Sequence, residues 1–183
     1  MPRKSKEKER SHLVRVIPKL EAWWGERFAK VPASGALRWG NGFWTYADLA
    51  PPVSFPFCVE CKFHKEIDLD ETIRKPVGQG KITWFWYWQT IADSIRASKD
   101  LNTTVYPMLI YRVNAQPDHL VLQEDLFTRI PEEARTFPYF LARVPTATPF
   151  AICLLDEFLA AIPRTNFEKW VLGRCETSSP QLS

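Results

Sequence analysis

No apolar run in this sequence approaches the roughly 18 residues a membrane-spanning helix needs. The opening "MPRKSKEKER" is charged, and no apolar segment of signal-peptide type follows it. These absences predict a cytoplasmic, intracellular protein with no membrane partner. Cysteine is scarce, with four residues. Without a secretion signal, these do not make a disulfide framework. Cys58 and Cys61 have CxxC spacing, but positions three apart on a strand point to opposite faces. They read as reduced thiols acting as small apolar residues, not as a zinc pair. Charge excess is small, +3, so the overall field is a weak argument for a nucleic-acid partner. His64 and His119 lack metal-ligand partners at local spacing. No internal repeat or low-complexity block is present.

What is there suits one globular domain. The chain has 183 residues, 45% hydrophobic and 25% charged, enough to bury a core. Eight Trp and twelve Phe are many for this length, and most must be core. Residues 1–10 carry five Lys or Arg against two Glu. This basic stretch, residues 1–11, is expected to be a flexible tail able to lie along a phosphate backbone. Residues 12–175 are expected to form a single domain and 176–183 a loose end.

"LVRVIPKLEAWWGERF" has apolar residues at 13, 16, 17, 20, 23 and 24, a helical period. Pro18 either kinks that helix or stands in its first turn. "FAKVP", "FWTYADLAPP" and "FPFCVECKFH" read as three short strands joined by short loops. "DLDETIRK" reads as a short helix, with Asp70 as N-cap and Asp68 and Glu71 as helix-end charges. "KITWFWYWQTIADSIRASK" is the strongest helix pattern, with a proposed apolar stripe through 82, 84, 85, 88, 91, 92 and 95. "VYPMLIYRV", "HLVLQ", "YFLARV" and "PFAICLL" read as strands. "DEFLAAI" reads as a helix opened by Asp156 and Glu157. The order implies an α/β or α+β domain.

The chemistry is concentrated in "FCVECK". Alternation places Cys58, Glu60 and Lys62 on one face and Val59, Cys61 and Phe63 on the other. The apolar set should face the core, with Glu60 and Lys62 side by side away from it. Asp48, near the end of the preceding strand, comes close to Glu60 if those strands pair. Two neighbouring carboxylates repel unless a cation joins them, and a hard divalent ion with oxygen ligands answers that need. Such an ion polarises a phosphodiester and acidifies a bound water. A neighbouring lysine orients the water or stabilises charge at phosphorus. Glu-x-Lys alone is common and equally describes a surface strand.

The ordered set "KVPASGAL…YADLAPP…FPFCVECK", with "WFWYWQTIA" and "YPMLIYRVN" behind it, resembles the PD-(D/E)xK nuclease superfamily. It is most similar to archaeal-type Holliday junction resolvases and their phage relatives, over about residues 12–123. The resemblance implies a restriction-endonuclease-like core, a central mixed β-sheet flanked by helices. It implies that Asp48 and Glu60 bind Mg²⁺, with Mn²⁺ as a substitute, and that the Cys61 backbone carbonyl is a further ligand. Lys62 would serve the attacking water. Ser34 and Gly35 would contact phosphate or serve the turn alone, and Gln89 would contact phosphate or the lysine or stand as a structural amide. Ala47 precedes Asp48, where the family usually has Gly or Pro.

The resemblance also implies a glutamate on the first helix. Glu9 is the position taken for it. His12 in its place, or no ligand at all, are the alternatives; Glu21 and Glu26 lie close to the next strand. Arg38, Lys65, Arg74, Lys75 and Lys81 fall in loops around the site and suit a DNA backbone. Trp39 and Trp44 could stack on a base at a branch point. Cutting branched DNA by two matched incisions implies a homodimer, for which "WFWYW" offers apolar surface. A nuclease acting on linear, nicked or single-stranded DNA, or a non-catalytic DNA-binding module, are the other readings.

Overall fold

The computed structural model describes residues 3–31, 47–64, 83–143 and 148–173, with side chains described at 11–31, 47–64, 86–143 and 148–173. Helix α1 (Arg3–Trp24) leads to β1 (Ala29–Lys30), β2 (Leu49–Ala50) and β3 (Phe57–His64). Helix α2 (Thr83–Leu101) precedes β4 (Tyr106–Val113) and β5 (Asp118–Gln123). A short α3 (Glu124–Phe127) and a 3-10 turn (Glu132–Ala134) precede β6 (Tyr139–Ala142) and β7 (Phe150–Leu154). Helices α4 (Leu155–Ala161) and α5 (Arg164–Val171) follow. The five-stranded sheet has the order β3-β4-β5-β7-β6, while β1 and β2 form an antiparallel pair. β3 and β4 are parallel, and the remaining neighbours are antiparallel. This is a mixed sheet flanked by helices in an α+β fold, the architecture that the resemblance implies.

Both faces of the sheet are covered. Val59, Cys61, Met108, Ile110, Leu120 and Leu122 join α1, α4 and α5 in one core. Leu109, Tyr111 and Val121 pack with Tyr87 of α2, and Cys58 packs with Ala97 of α2. A strand buried on both sides needs no polar alternation, which is why "YPMLIYRV" reads as a continuous apolar run. Ring contacts tie the first core together. Trp24 and Phe55 meet edge-on at 4.9 Å, and Trp23 reaches Phe167 at 5.4 Å.

α1 begins at Arg3, so helix extends through most of the segment expected to be a tail. Lys, Arg and Glu are good helix formers there. Pro18 lies inside the helix, not in its first turn. Its missing N–H would have met the carbonyl of Val14. Both residues are exposed, so water can take up that carbonyl.

The face of α2 differs from the one expected. Trp88 and Ile95 are 53% and 51% exposed, whereas Thr90, Asp93, Ser94 and Ala97 are buried. The polar ones are tolerated inside because they have partners. Thr90 Oγ1 donates to the Trp86 carbonyl (2.7 Å), Ser94 Oγ donates to the Ile91 carbonyl (2.8 Å), and Asp93 pairs with Arg96. Gln89, beside Trp88, is exposed as well. The expected helix over "DLDETIRK" lies outside the described residues.

Candidate active site

β3 is an edge strand, and Asp48 meets it along its open edge. The carbonyls of Pro56 and His64 accept from Tyr106 and Asn114 on the β4 side. Even-numbered positions of β3 therefore turn their backbone groups to β4, and odd-numbered ones turn theirs to the open edge. Cys61 is odd. Its N–H donates to Asp48 Oδ2 at 2.9 Å, and its carbonyl, on the same side of the strand, faces the same edge. Asp48 stands just before β2, held against β1 by the bond from Val31 N–H to the Asp48 carbonyl (3.2 Å).

Glu60 and Lys62 stand together, as the alternation requires, and form an ion pair. Their setting differs from the expected outward face. α2 covers that side, so Glu60 is 3% exposed. Burial raises the Glu60 carboxyl to about 7, and the nearby Asp48 charge adds to the rise; Lys62 opposes it without cancelling it. Asp48 is raised too, by burial first, against the pull of Lys62, the Cys61 N–H, Lys30 and His12. A buried and a half-buried carboxyl beside a backbone carbonyl, each held above its ordinary range, form a donor set suited to a hard divalent cation. Among the described residues no group of three or more His, Cys, Asp or Glu side chains surrounds one point. Backbone and water oxygens, or a residue beyond the described side chains, would complete the coordination.

Cys58 and Cys61 are free thiols on opposite faces of β3, one packed toward α2 and the other toward α1. Burial pushes both thiols well up, so they stay protonated. Cys61 meets Asp48 through its backbone N–H.

The first-helix alternatives separate. Glu21 Oε1 accepts from Phe28 N–H at 2.9 Å and closes the turn after α1. Glu26 accepts from Ser54 Oγ (2.5 Å) and lies 3.4 Å from Arg164. Both carboxylates are taken up by these structural partners. His12 is 2% exposed and sits 3.2 Å from Asp118 Oδ1. Glu9 belongs to α1. Its side chain is outside the described set. Ser34, Gly35, Arg38, Lys65, Arg74, Lys75 and Lys81, with Trp39 and Trp44, also lie outside the described residues.

Two groups had no local sequence signal. Asp93, buried on α2, adds its charge to the field at Glu60 and Cys58. Asp118 lies at the start of β5 beneath α1, where Lys19 Nζ donates to its Oδ2 at 2.8 Å and Arg112 approaches Oδ1 at 3.5 Å. Burial alone would raise the Asp118 carboxyl, but its contacts with His12 and Lys19 outweigh burial and hold it well below the carboxylate range. Lys19 also reaches Asp156 (2.6 Å) at the start of α4. This network anchors α1, the helix that packs on β3.

The family model described as "Phage putative PDDEXK endonuclease" matches residues 4–168 of this chain. Neither a curated protein nor a solved structure matches it significantly. None of its described helices is long and apolar enough to cross a membrane.

Proposed function

The chain belongs to this phage PDDEXK endonuclease family, and from that premise we propose that it is a divalent-metal-dependent DNA endonuclease acting on branched DNA. The observation that supports the site most is the bond from the Cys61 N–H to Asp48 on the open edge of β3, with Glu60 within reach of the Asp48 charge and paired to Lys62. Asp48, Glu60 and the Cys61 carbonyl would hold Mg²⁺, or Mn²⁺ in its place, with Glu9 as the first-helix acid. When bound, the ion supplies positive charge to the phosphodiester and lowers the pKa of a water.

The chain's own residues do the rest. Glu60 would hold the ion as a carboxylate, its proton passing to solvent. Lys62, 20% exposed at its side chain, keeps its ammonium at the site, where it orients the attacking water and stabilises charge developing on the phosphoryl oxygens. The covering helix α2 limits water around Glu60, which strengthens these interactions. Gln89, exposed on α2, is placed in the reading as a DNA contact, along with Ser34, Gly35, Arg38 and Lys65.

Matched cuts in two strands call for two sites, so the reading includes a homodimer. The exposed Trp88 and Ile95 on α2 offer apolar surface for it. Action in the host cytoplasm follows from the same reading.

The test is cleavage of four-way junction, nicked, single-stranded and linear DNA in Mg²⁺. Symmetric paired nicks near the branch point, absent from linear duplex, are expected. Equal cutting of linear DNA would move the assignment to a general nuclease of the same fold. Binding without cutting in Mg²⁺ or Mn²⁺ would make it a DNA-binding module.

A further inference from the structure

A second feature lies beside the strand edge, on the α1 side of the sheet. A cavity of about 230 Å³ opens there, lined by Ser11, His12 and Arg15 of α1, Phe63 of β3, Arg112 of β4 and Asn114 of the turn that follows. Its polar lining is almost entirely of hydrogen-bond donors or groups able to donate. Arg15 and Arg112 are permanently charged, Ser11 has a hydroxyl, and Asn114 an amide.

Two observations point to an anion. The first is charge. Lys19 and Arg112 offset the carboxylates of Asp118 and Asp156, which they approach within 2.6 to 3.5 Å. Arg15 is then left over, exposed and with no ion-pair partner among the described residues. A single negative charge would balance it. The second is His12. It is 2% exposed, and among the described residues its Nδ1 has no hydrogen-bond partner. Its Nε2 lies 3.2 Å from Asp118 Oδ1 but out of hydrogen-bond alignment. A buried ring nitrogen without a partner in the wall of a cationic cavity is a cost unless something enters to meet it.

Position supplies the third argument. Phe63 is two residues beyond Cys61 on β3, about 7 Å along the strand. That is the axial span of about two nucleotide steps on one DNA strand. His12 is also near enough to Asp48 for its charge to act there.

We propose that this cavity is a subsite for one backbone phosphodiester of the DNA strand being cut, one or two nucleotides from the bond that Asp48 and Glu60 address. The inference rests on the nuclease reading. It assigns Arg15 as the principal charge contact, with Arg112, Ser11 and His12 shaping the pocket. Arg15 is then a positioning residue: it fixes strand register relative to the strand edge and reads no sequence.

The experiment measures equilibrium binding of metal-free protein to its best-cut DNA across a salt series, for wild type, Arg15→Ala and Arg15→Lys. Single methylphosphonate linkages, neutral replacements for a phosphodiester, are then walked through the three nucleotides on either side of the cut. Arg15→Ala should bind about three- to tenfold more weakly, with the salt slope reduced by about one, and Arg15→Lys should recover most of that slope. At one or two linkages, neutralisation should weaken wild type and leave Arg15→Ala unaffected, while other linkages affect both proteins alike. Absence of such a coupled linkage, with cutting by wild type intact, overturns the subsite and leaves the nuclease reading standing. A parallel titration with inorganic phosphate separates the other source of the same chemistry. Arg15-dependent phosphate binding without any coupled DNA linkage would make the cavity a free-anion site and overturn the proposal. Wild-type protein that neither binds nor cuts DNA would remove the nuclease reading and the subsite together.

Discussion

Asp48 Oδ2 accepts a hydrogen bond of 2.9 Å from the backbone N–H of Cys61. That one bond joins the segment before β2 to the open edge of β3. It brings Asp48 within the field of Glu60 on a chain segment twelve residues away. The carboxylates are therefore neighbours by construction of the fold.

Asp48→Ala and Lys62→Ala should each reduce cleavage at least about a hundredfold, equivalent to roughly 3 kcal/mol of barrier. DNA binding should change far less, because affinity is summed over many basic contacts along the backbone and these substitutions remove at most one of them. Initial-rate cleavage and filter binding on the same preparations check this. A variant that loses binding and cutting in equal measure would assign the residue to DNA docking.

The raised Glu60 carboxyl gives the metal-free protein a defined pH response. Its ordinary value is 4.5 and its value in the fold is about 7. Folding therefore takes up a proton between those values, and the stability contributed by this group falls as pH rises through that window. A divalent cation binds the ionised form and reverses the trend. The rise in Tm on adding Mn²⁺ should be about 2–4 °C larger at pH 8 than at pH 6. An equal rise at both pH values would place the bound ion elsewhere.

Asp118 is paired with Lys19 and approached by His12 and Arg112 in a buried setting. Asp118→Asn should cost about 1–3 kcal/mol in urea unfolding at pH 7, because it removes the buried charge that the half-buried Lys19 and Arg112 face. Asp118 is held below its ordinary value, so its stabilising share is present above about pH 4 and disappears as pH falls further. The wild type and the variant should therefore converge in stability in acid. A gap that persists unchanged at low pH would show a packing effect and no charge effect.

Pro18 stands inside α1 on an exposed face. An interior proline costs up to about 3 kcal/mol relative to alanine. Pro18→Ala should raise stability by about 1–3 kcal/mol, read from urea midpoints. No gain would mean that the helix has already relaxed around the lost bond.

The strand pattern of "FCVECKFH" and the pairing of Glu60 with Lys62 were legible from period-two alternation, because local backbone geometry dictates them. The burial of Glu60 was not, since it depends on α2 closing over the strand from a distant part of the chain. The same helix shows why apolar spacing can mislead. Trp88 and Ile95 form a good helical stripe, yet Thr90, Asp93 and Ser94 go inside because their polar groups are satisfied by their own helix. Glu21 and Glu26 could be set aside only once their partners Phe28 N–H and Ser54 were visible. The contact of His12 with Asp118 joins α1 to β5, and no local spacing rule reaches so far along a chain.

The most direct test of the metal site is Glu60→Ala assayed on end-labelled four-way junction DNA in Mg²⁺, beside wild type at equal bound fraction. The account predicts paired nicks from wild type and none above background from the variant, with the variant still bound to the junction. Full cutting by Glu60→Ala would contradict it.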